Sequence, residues 1–303
     1  MGTDKNKIIV VLGPTASGKS DLAVDLALKY DGEIISTDSR QVYKGFDIGS
    51  GKITEAEMKG IPHYLLDVVK VQTSFGVSQF KKKADKIIED ILKRGKIPIL
   101  AGGTGYYISA VIDNFDLPQV KANKELRKTL ESLSAEELFT KLKKLDPERA
   151  ENIDAKNPRR LVRAIEIATA LGKVPQLKLS TPSTKKWEVL QIGIKTDKDI
   201  LNERIDKRFY KRMKAGLVEE ALELMKTGLT YKRMRELGLA HKYIQDLVKE
   251  KISRQEFIDL SVREEQKYAK RQRTWFKRDK RIEWFDLKDT KSINKRVSAF
   301  LKK

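Results

Sequence analysis

The chain has 303 residues, long enough to bury a sizeable core in one large domain or two modest ones, and 40% of them are apolar. Its 63 Lys and Arg against 43 Asp and Glu leave a net charge of +20, a field that attracts polyanions, nucleic acid first among them. Cys is absent and His63 and His241 are the two histidines, which sets aside disulfides, thiolate or His-ligated metal sites and a Ser-His-Asp triad.

The first element is the β-branched run Lys7 to Leu12, a buried strand, followed by a Gly-rich turn. Leu22, Ala23, Leu26 and Ala27 recur at helical spacing over Lys19 to Tyr30. Glu33 to Ser36 is the next strand. A long helix follows, capped by Ser78, with Phe80, Ala84, Ile87, Ile88, Ile91 and Leu92 on one face and Gly95 at its end. Ile97 to Gly103 is another buried strand, and a helix starts in TGYYISAVI. Strand and helix alternate, and the Gly-rich turn after the first strand, Gly13 to Ser20, has the G-x-x-x-x-G-K-[ST] pattern of a phosphate loop, so the expected fold is α/β: a P-loop NTPase-like parallel sheet with helices on both faces.

From Leu117 the texture turns helical, and residues 119–184 are expected to form a helical insertion domain between core segments 1–118 and 185–303. Within it Asn157 caps a helix, Pro158 takes its first position and Gly172 closes it. Lys173 to Lys186, with two prolines, looks like a mobile connector. Val189 to Lys195 returns to strand texture, and RIEWFDL near the end suits an edge strand.

The turn after the first strand, Gly13-Pro-Thr-Ala-Ser-Gly-Lys-Ser20, fits G-x-x-x-x-G-K-[ST] at every fixed position. Glycine lets the backbone amides face an anion, Lys19 adds a point charge, Ser20 offers a hydroxyl to Mg²⁺, and the next helix points its positive end at the same place. Such a loop serves a kinase, an ATPase, or any enzyme whose leaving group is diphosphate. Asp38 follows the second strand. In a parallel sheet that places it at the ligand crevice, as a general base or outer metal ligand, with a turn-forming Asp as the plain alternative.

The segments GPTASGKS, STDSRQVYKGFDIGSGK, IPHYLLD, AGGTGYY, NPRRLVRA, RIDKRFYKRMKAGLVEEA and YAKRQRTWF occur in the order found in the bacterial tRNA dimethylallyltransferase family, which the chain resembles over essentially its whole length. The resemblance implies transfer of a dimethylallyl group from dimethylallyl diphosphate to N6 of adenosine 37 in tRNAs reading UNN codons, with Mg²⁺ and release of diphosphate. It assigns Asp38 as the base, Thr104 as a crevice residue beside the reacting groups, and Arg208 as a clamp on the diphosphate. Alone, Thr104 reads as a helix N-cap and Arg208 as a surface arginine. Gly13, Thr15, Ala16, Ser17, Gly18, Lys19 and Ser20 would hold the diphosphate, with Ser20 on the metal.

For the RNA, the resemblance implies that the anticodon stem-loop meets Asp38, Ser39, Arg40, Gln41 and Thr104, with Gln41 suited to an adenine edge. A second segment is Arg159, Arg160, Leu161, Val162 and Arg163, on the insertion that would close over the stem-loop. A third, Lys270, Arg271 and Gln272, lies in REEQKYAKRQRTWFKRDKR, where cations interleave with Tyr268, Trp275 and Phe276. Two positions depart from the family pattern: Gln266 stands where an arginine is frequent, and Leu239 follows Gly238 where a tyrosine is frequent. The rival readings are a P-loop nucleotide kinase, a prenyltransferase on free adenine nucleotide, and a non-catalytic RNA-binding GTPase-like module. No aliphatic run exceeds Ile8 to Leu12, far below the roughly 20 residues of a membrane span. No secretory signal is seen, and a cytoplasmic monomer is expected.

Overall fold

The structure is a computed structural model that describes residues 6–176 and 186–302. Two compact units divide the chain, Met1–Asn114 with Thr181–Lys303, and Phe115–Ser180. The larger unit opens with β1 (Lys7–Leu12), α1 (Lys19–Tyr30), β2 (Gly32–Ser36), β3 (His63–Tyr64), α2 (Val77–Lys93), β4 (Ile97–Gly102) and α3 (Gly105–Ile112). The smaller unit holds α4 (Lys124–Leu130), α5 (Ala135–Leu145), α6 (Pro147–Glu151) and α7 (Pro158–Leu171). The larger unit resumes with β5 (Glu188–Lys195), α8 (Lys198–Lys214), α9 (Leu217–Lys226), α10 (Tyr231–Leu237), α11 (Arg254–Phe276), β6 (Ile282–Asp286) and α12 (Thr290–Lys302).

Six strands form one sheet in the order β3-β2-β4-β1-β5-β6, every pairing parallel. β1 is central, with Ile9 opposite Ile99 on one side and Leu190 on the other. Its unbroken apolar run follows from burial on both faces. Ile8, Val10 and Leu12 pack with Phe80, Ile88 and Tyr107, while Ile9 and Val11 pack with Leu22, Leu26, Ile293 and Phe300. A separate two-residue parallel ladder joins Tyr43–Lys44 to Val69–Lys70.

The strands and helices read from the sequence lie close to where it puts them, while β3 and the Tyr43–Lys44 and Val69–Lys70 pair, each two residues long, were not read as strands. The start of α2 differs: Gly76 occupies the cap position and its amide donates to Oε1 of Gln79 at 3.0 Å, so Ser78 is already inside the first turn. In the smaller unit Asn157 Oδ1 accepts from the Arg160 amide, with Pro158 at the first position and Gly172 at the end of α7. This unit has its own core of Leu130, Leu138, Leu142, Leu161 and Ile165. The expected connector Lys173 to Lys186 falls largely outside the described residues.

Candidate active site

Because the sheet is parallel, β1, β2 and β4 deliver their C-terminal ends to one edge. From β1 runs the phosphate loop, from β2 the segment Thr37–Gln41, and from β4 the segment Gly103–Thr104. Main-chain bonds hold the last two together: Thr37 donates to Ala101 O at 2.8 Å and Thr104 donates to Thr37 O at 3.3 Å. Thr104 stands at the head of α3 without capping it. Its Oγ1 accepts from the Ser39 amide at 3.1 Å and donates to Ser39 Oγ at 3.3 Å.

The phosphate loop takes its shape from two left-handed residues, Ala16 at φ 61° and Gly18 at φ 87°. For Ala16 that conformation costs roughly 1 kcal/mol, and its methyl group packs against Leu201, Ile205 and Ala269 of α8 and α11. Ser17 is fully buried with an unpartnered hydroxyl. The Lys19 ammonium turns back to Pro14 O at 3.1 Å. Burial, then the nearby Arg208 charge, bring the Lys19 pKa down to about 8 against the opposite pull of Asp38.

α8 presents its cations in two ways. Arg204, Lys207 and Lys211 face solvent, while Arg208 and Arg212, one turn apart, point inward. Arg208 donates from Nη1 to Thr15 Oγ1 at 3.3 Å and from Nη2 to Gly51 O at 2.8 Å. Arg212 donates to Gly49 O at 3.2 Å and pairs with the buried carboxylate of Glu265 on α11. The loop they meet is anchored from behind by Glu220 of α9, whose carboxylate accepts from the amides of Asp47, Ile48 and Gly49 at 2.6 to 2.8 Å.

These elements enclose one small cavity lined by Thr15, Asp38, Arg40, Ser50, Arg208, Arg212, Leu239, Glu265 and Tyr268. Its free volume is about 20 Å³, room for about one water. Asp38 Oδ1 accepts from the Arg40 amide at 2.8 Å, a short turn that fixes the carboxylate at the cavity wall. Tyr268 carries the Arg40 guanidinium 4.9 Å and the Arg271 guanidinium 5.6 Å from its ring centre.

Several residues read from the sequence as RNA contacts are occupied within the protein. The Gln41 side-chain amide accepts from Ser36 Oγ at 3.0 Å and donates to Gly51 O at 3.2 Å. Gln272 is buried, accepts from the Thr15 amide at 2.8 Å and donates to Gly103 O at 2.9 Å. Leu161 lies wholly in the core of the smaller unit and Val162 packs against it. Arg163 binds Glu166 and Val120 O. Arg159 and Arg160 are exposed, as are Lys270 and Arg271. Gln266, the first departure, donates to Asp206 of α8 at 3.0 Å. His241 is buried against Phe46, its pKa pushed down to about 3 by burial and by Arg212 and Arg40.

Sequence reasoning passed over Arg212, Glu265 and Glu220. The one available signal was that Arg212 follows Arg208 by a helical turn. A second, larger and open cavity of about 330 Å³ lies beside α11, lined by Ser109, Trp275, Arg278, Asp279, Lys280 and Arg281. Its exposed indole and cations suit base stacking and phosphate contact.

No group of three or more His, Cys, Asp or Glu able to hold a metal occurs among the described residues. The exposed Ser20 hydroxyl at the head of α1 is a hard oxygen donor. That set fits a Mg²⁺ held mainly by a diphosphate and water, with one protein ligand, the usual habit of this cation.

The family model described as IPP transferase matches residues 41–279. A tRNA dimethylallyltransferase of Thermoanaerobacter sp. (strain X514) is 40% identical, over 97% of each chain. One of Halalkalibacterium halodurans is 38% identical, over 94% of this chain and 92% of its own. Among solved structures, the full-length tRNA isopentenylpyrophosphate transferase of Bacillus halodurans is similar at a TM-score of 0.74 and 35% identity, over 98% and 97% of the two chains. A eukaryotic dimethylallyltransferase acting on tRNA is similar at a TM-score of 0.75 and 27% identity, over 96% of this chain and 77% of its own.

Proposed function

The chain belongs to the IPP transferase family, and on that premise we propose that it moves the dimethylallyl group of dimethylallyl diphosphate onto tRNA, at N6 of adenosine 37 beside the anticodon. The observation that carries the reading is the single cavity in which Asp38, the phosphate-loop residue Thr15 and Arg208 meet. A carboxylate for a proton and cations for a diphosphate are the two needs of this reaction.

An exocyclic amine is a weak nucleophile because its lone pair is delocalised into the ring. With the adenine turned out of its stack, Asp38 accepts the N6 proton as the N6–C1 bond forms. The C1–O bond breaks and diphosphate leaves with its electron pair. The developing charge falls on Lys19, the amides of the phosphate loop and Arg208. Mg²⁺, held by the diphosphate and Ser20 Oγ, would supply further charge neutralisation when bound. Thr104, tied to Ser39, keeps the Asp38 segment against the end of β4.

RNA is held through the exposed cations Arg159, Arg160, Lys270 and Arg271, with the net charge of +20 favouring encounter. Among the described residues no helix is long and apolar enough to cross a membrane, and the proposed setting is the cytoplasm, with the chain acting as a monomer.

The test uses labelled dimethylallyl diphosphate, Mg²⁺ and two transcripts of a UNN-reading tRNA, one with A37 and one with G37. Label on the A37 transcript alone is the expected result. Consumption of ATP with no label on either transcript would replace this reading with a nucleotide kinase.

A further inference from the structure

The proposed donor needs opposite surroundings at its two ends, an anionic head among cations and a five-carbon tail against carbon. The cavity supplies the first in excess. Among the described residues that line it, Leu239 alone has an aliphatic side chain. The other carbon surface, the Tyr268 ring, has Arg40 and Arg271 close to it.

The backbone at Leu239 is unusual. Its φ is 51°, in the left-handed region that a residue with a Cβ enters at a cost. The turn is fixed on both sides. Leu237 and Ala240 are buried in the main core, and Arg40 Nε donates to Leu237 O at 3.0 Å. Leu239 itself is half-buried at the cavity wall. The turn thus holds one apolar side chain on the wall of the cavity that Thr15, Arg208 and Asp38 also line, within the space open to the tail of a donor whose head is on the phosphate loop.

The geometry points to Leu239 as the specificity-determining residue for the donor's chain length: its side chain packs against the five-carbon group and closes the site to longer prenyl chains. The inference rests on the prenyl-transfer reading above. The free volume of about 20 Å³ is smaller than either tail, so the discrimination falls to the one aliphatic side chain that a tail meets as the wall gives way.

The experiment compares dimethylallyl and geranyl diphosphate as donors to the A37 transcript, in the full chain and in Leu239→Ala, Leu239→Gly and Leu239→Trp. Glycine suits a left-handed φ, so that variant keeps the fold while removing the side chain. Leu239→Ala and Leu239→Gly are expected to raise kcat/KM for geranyl relative to dimethylallyl diphosphate by about tenfold or more, the scale of apolar pocket discrimination. Leu239→Trp is expected to depress both. Inhibition by inorganic diphosphate should stay within about twofold in the Ala and Gly variants, since the head group does not meet Leu239.

An unchanged donor ratio in an active Leu239→Gly enzyme overturns the inference and leaves prenyl transfer standing. A change confined to the KM for tRNA overturns it too, and assigns the residue to RNA. Absence of label from either donor with the unaltered chain removes the reading of the whole site.

Discussion

The side-chain amide of Gln272 joins Thr15 to Gly103: its oxygen accepts from the Thr15 amide at 2.8 Å and its nitrogen donates to Gly103 O at 2.9 Å. The phosphate loop and the residue before Thr104 are thus pinned to each other through α11. A Cβ at Gly103 would run into the Gln272 amide nitrogen and displace it from this bridge. Replacement by the apolar isostere, Gln272→Met, leaves two main-chain groups unpaired, at roughly 1–3 kcal/mol each. The expected outcome is a KM for dimethylallyl diphosphate raised about tenfold, with tRNA affinity within about twofold. Gln272→Glu restores the bond to Thr15 and should recover part of the loss. Steady-state kinetics with both substrates varied checks this, and a selective loss of tRNA affinity would return Gln272 to the RNA surface.

Asp38 is assigned a proton, not a phosphate. Asp38→Ala should lower the single-turnover rate by ~10²-fold or more, the scale of a general base, while donor affinity changes only a few-fold. Quench-flow kinetics separates the two, and a near-normal rate removes Asp38 from the mechanism.

Lys19 carries a testable pH dependence. Its pKa of about 8 in the free protein means that its charge is lost as pH rises through that value. A bound diphosphate favours the charged form, so binding above pH 8 takes up a proton. Affinity for dimethylallyl diphosphate should be near its plateau at pH 7, about half of it at pH 8, and then weaken with a slope approaching tenfold per unit. Calorimetry in two buffers of different ionisation heat reads the proton directly. In Lys19→Arg the break near pH 8 should disappear.

The buried Glu33 carboxylate at the start of the sheet accepts two bonds from Arg94, at 2.5 and 2.6 Å, and one from Tyr64. Chiefly through Arg94, its pKa is lowered to about 2. A carboxylate depressed on folding contributes stability that is complete above its unfolded pKa of about 4.5 and fades as pH falls toward 2. The protein should lose melting temperature over that window more steeply than Glu33→Gln, whose melting temperature at pH 7 is lower by several degrees. Parallel melting curves from pH 2 to 7 decide it.

RNA affinity should fall steeply with salt, because phosphate contacts release counterions. Arg159→Ala and Arg160→Ala, at exposed positions, are each expected to lower the slope of log K against log salt by about one. Arg163→Ala should leave that slope alone and destabilise the smaller unit. There, burial pushes the Glu166 carboxyl up and its bonds to Arg127, Asn123 and Arg163 outweigh it.

The five longer strands, the phosphate loop and the placement of Asp38 after the second strand were legible because each depends on residues adjacent in sequence: β-branched runs, glycines at fixed spacing, a turn after a strand; the two-residue strands at His63–Tyr64, Tyr43–Lys44 and Val69–Lys70 are too short to carry such a pattern. Thr104 read as a helix cap for the same local reason, and only the approach of Ser39, 65 residues away, turns its hydroxyl to another use. Gln272 and Thr15 lie 257 positions apart, and no periodicity announces their bond. Arg208 and Arg212 look like their exposed neighbours until α11 is packed beside α8 and supplies Glu265. Leu239 was visible as an oddity beside Gly238, but its left-handed backbone and its place at the cavity belong to the tertiary fold.

α11 lines the cavity with Glu265 and Tyr268, reaches the phosphate loop through Gln272, and turns Lys270 and Arg271 outward. A helix advances 100° per residue, so one inserted or deleted residue between Glu265 and Gln272 would swing an arginine toward the Thr15 amide and carry the glutamine away. That stretch cannot change length. Sequence drift there is confined to substitution.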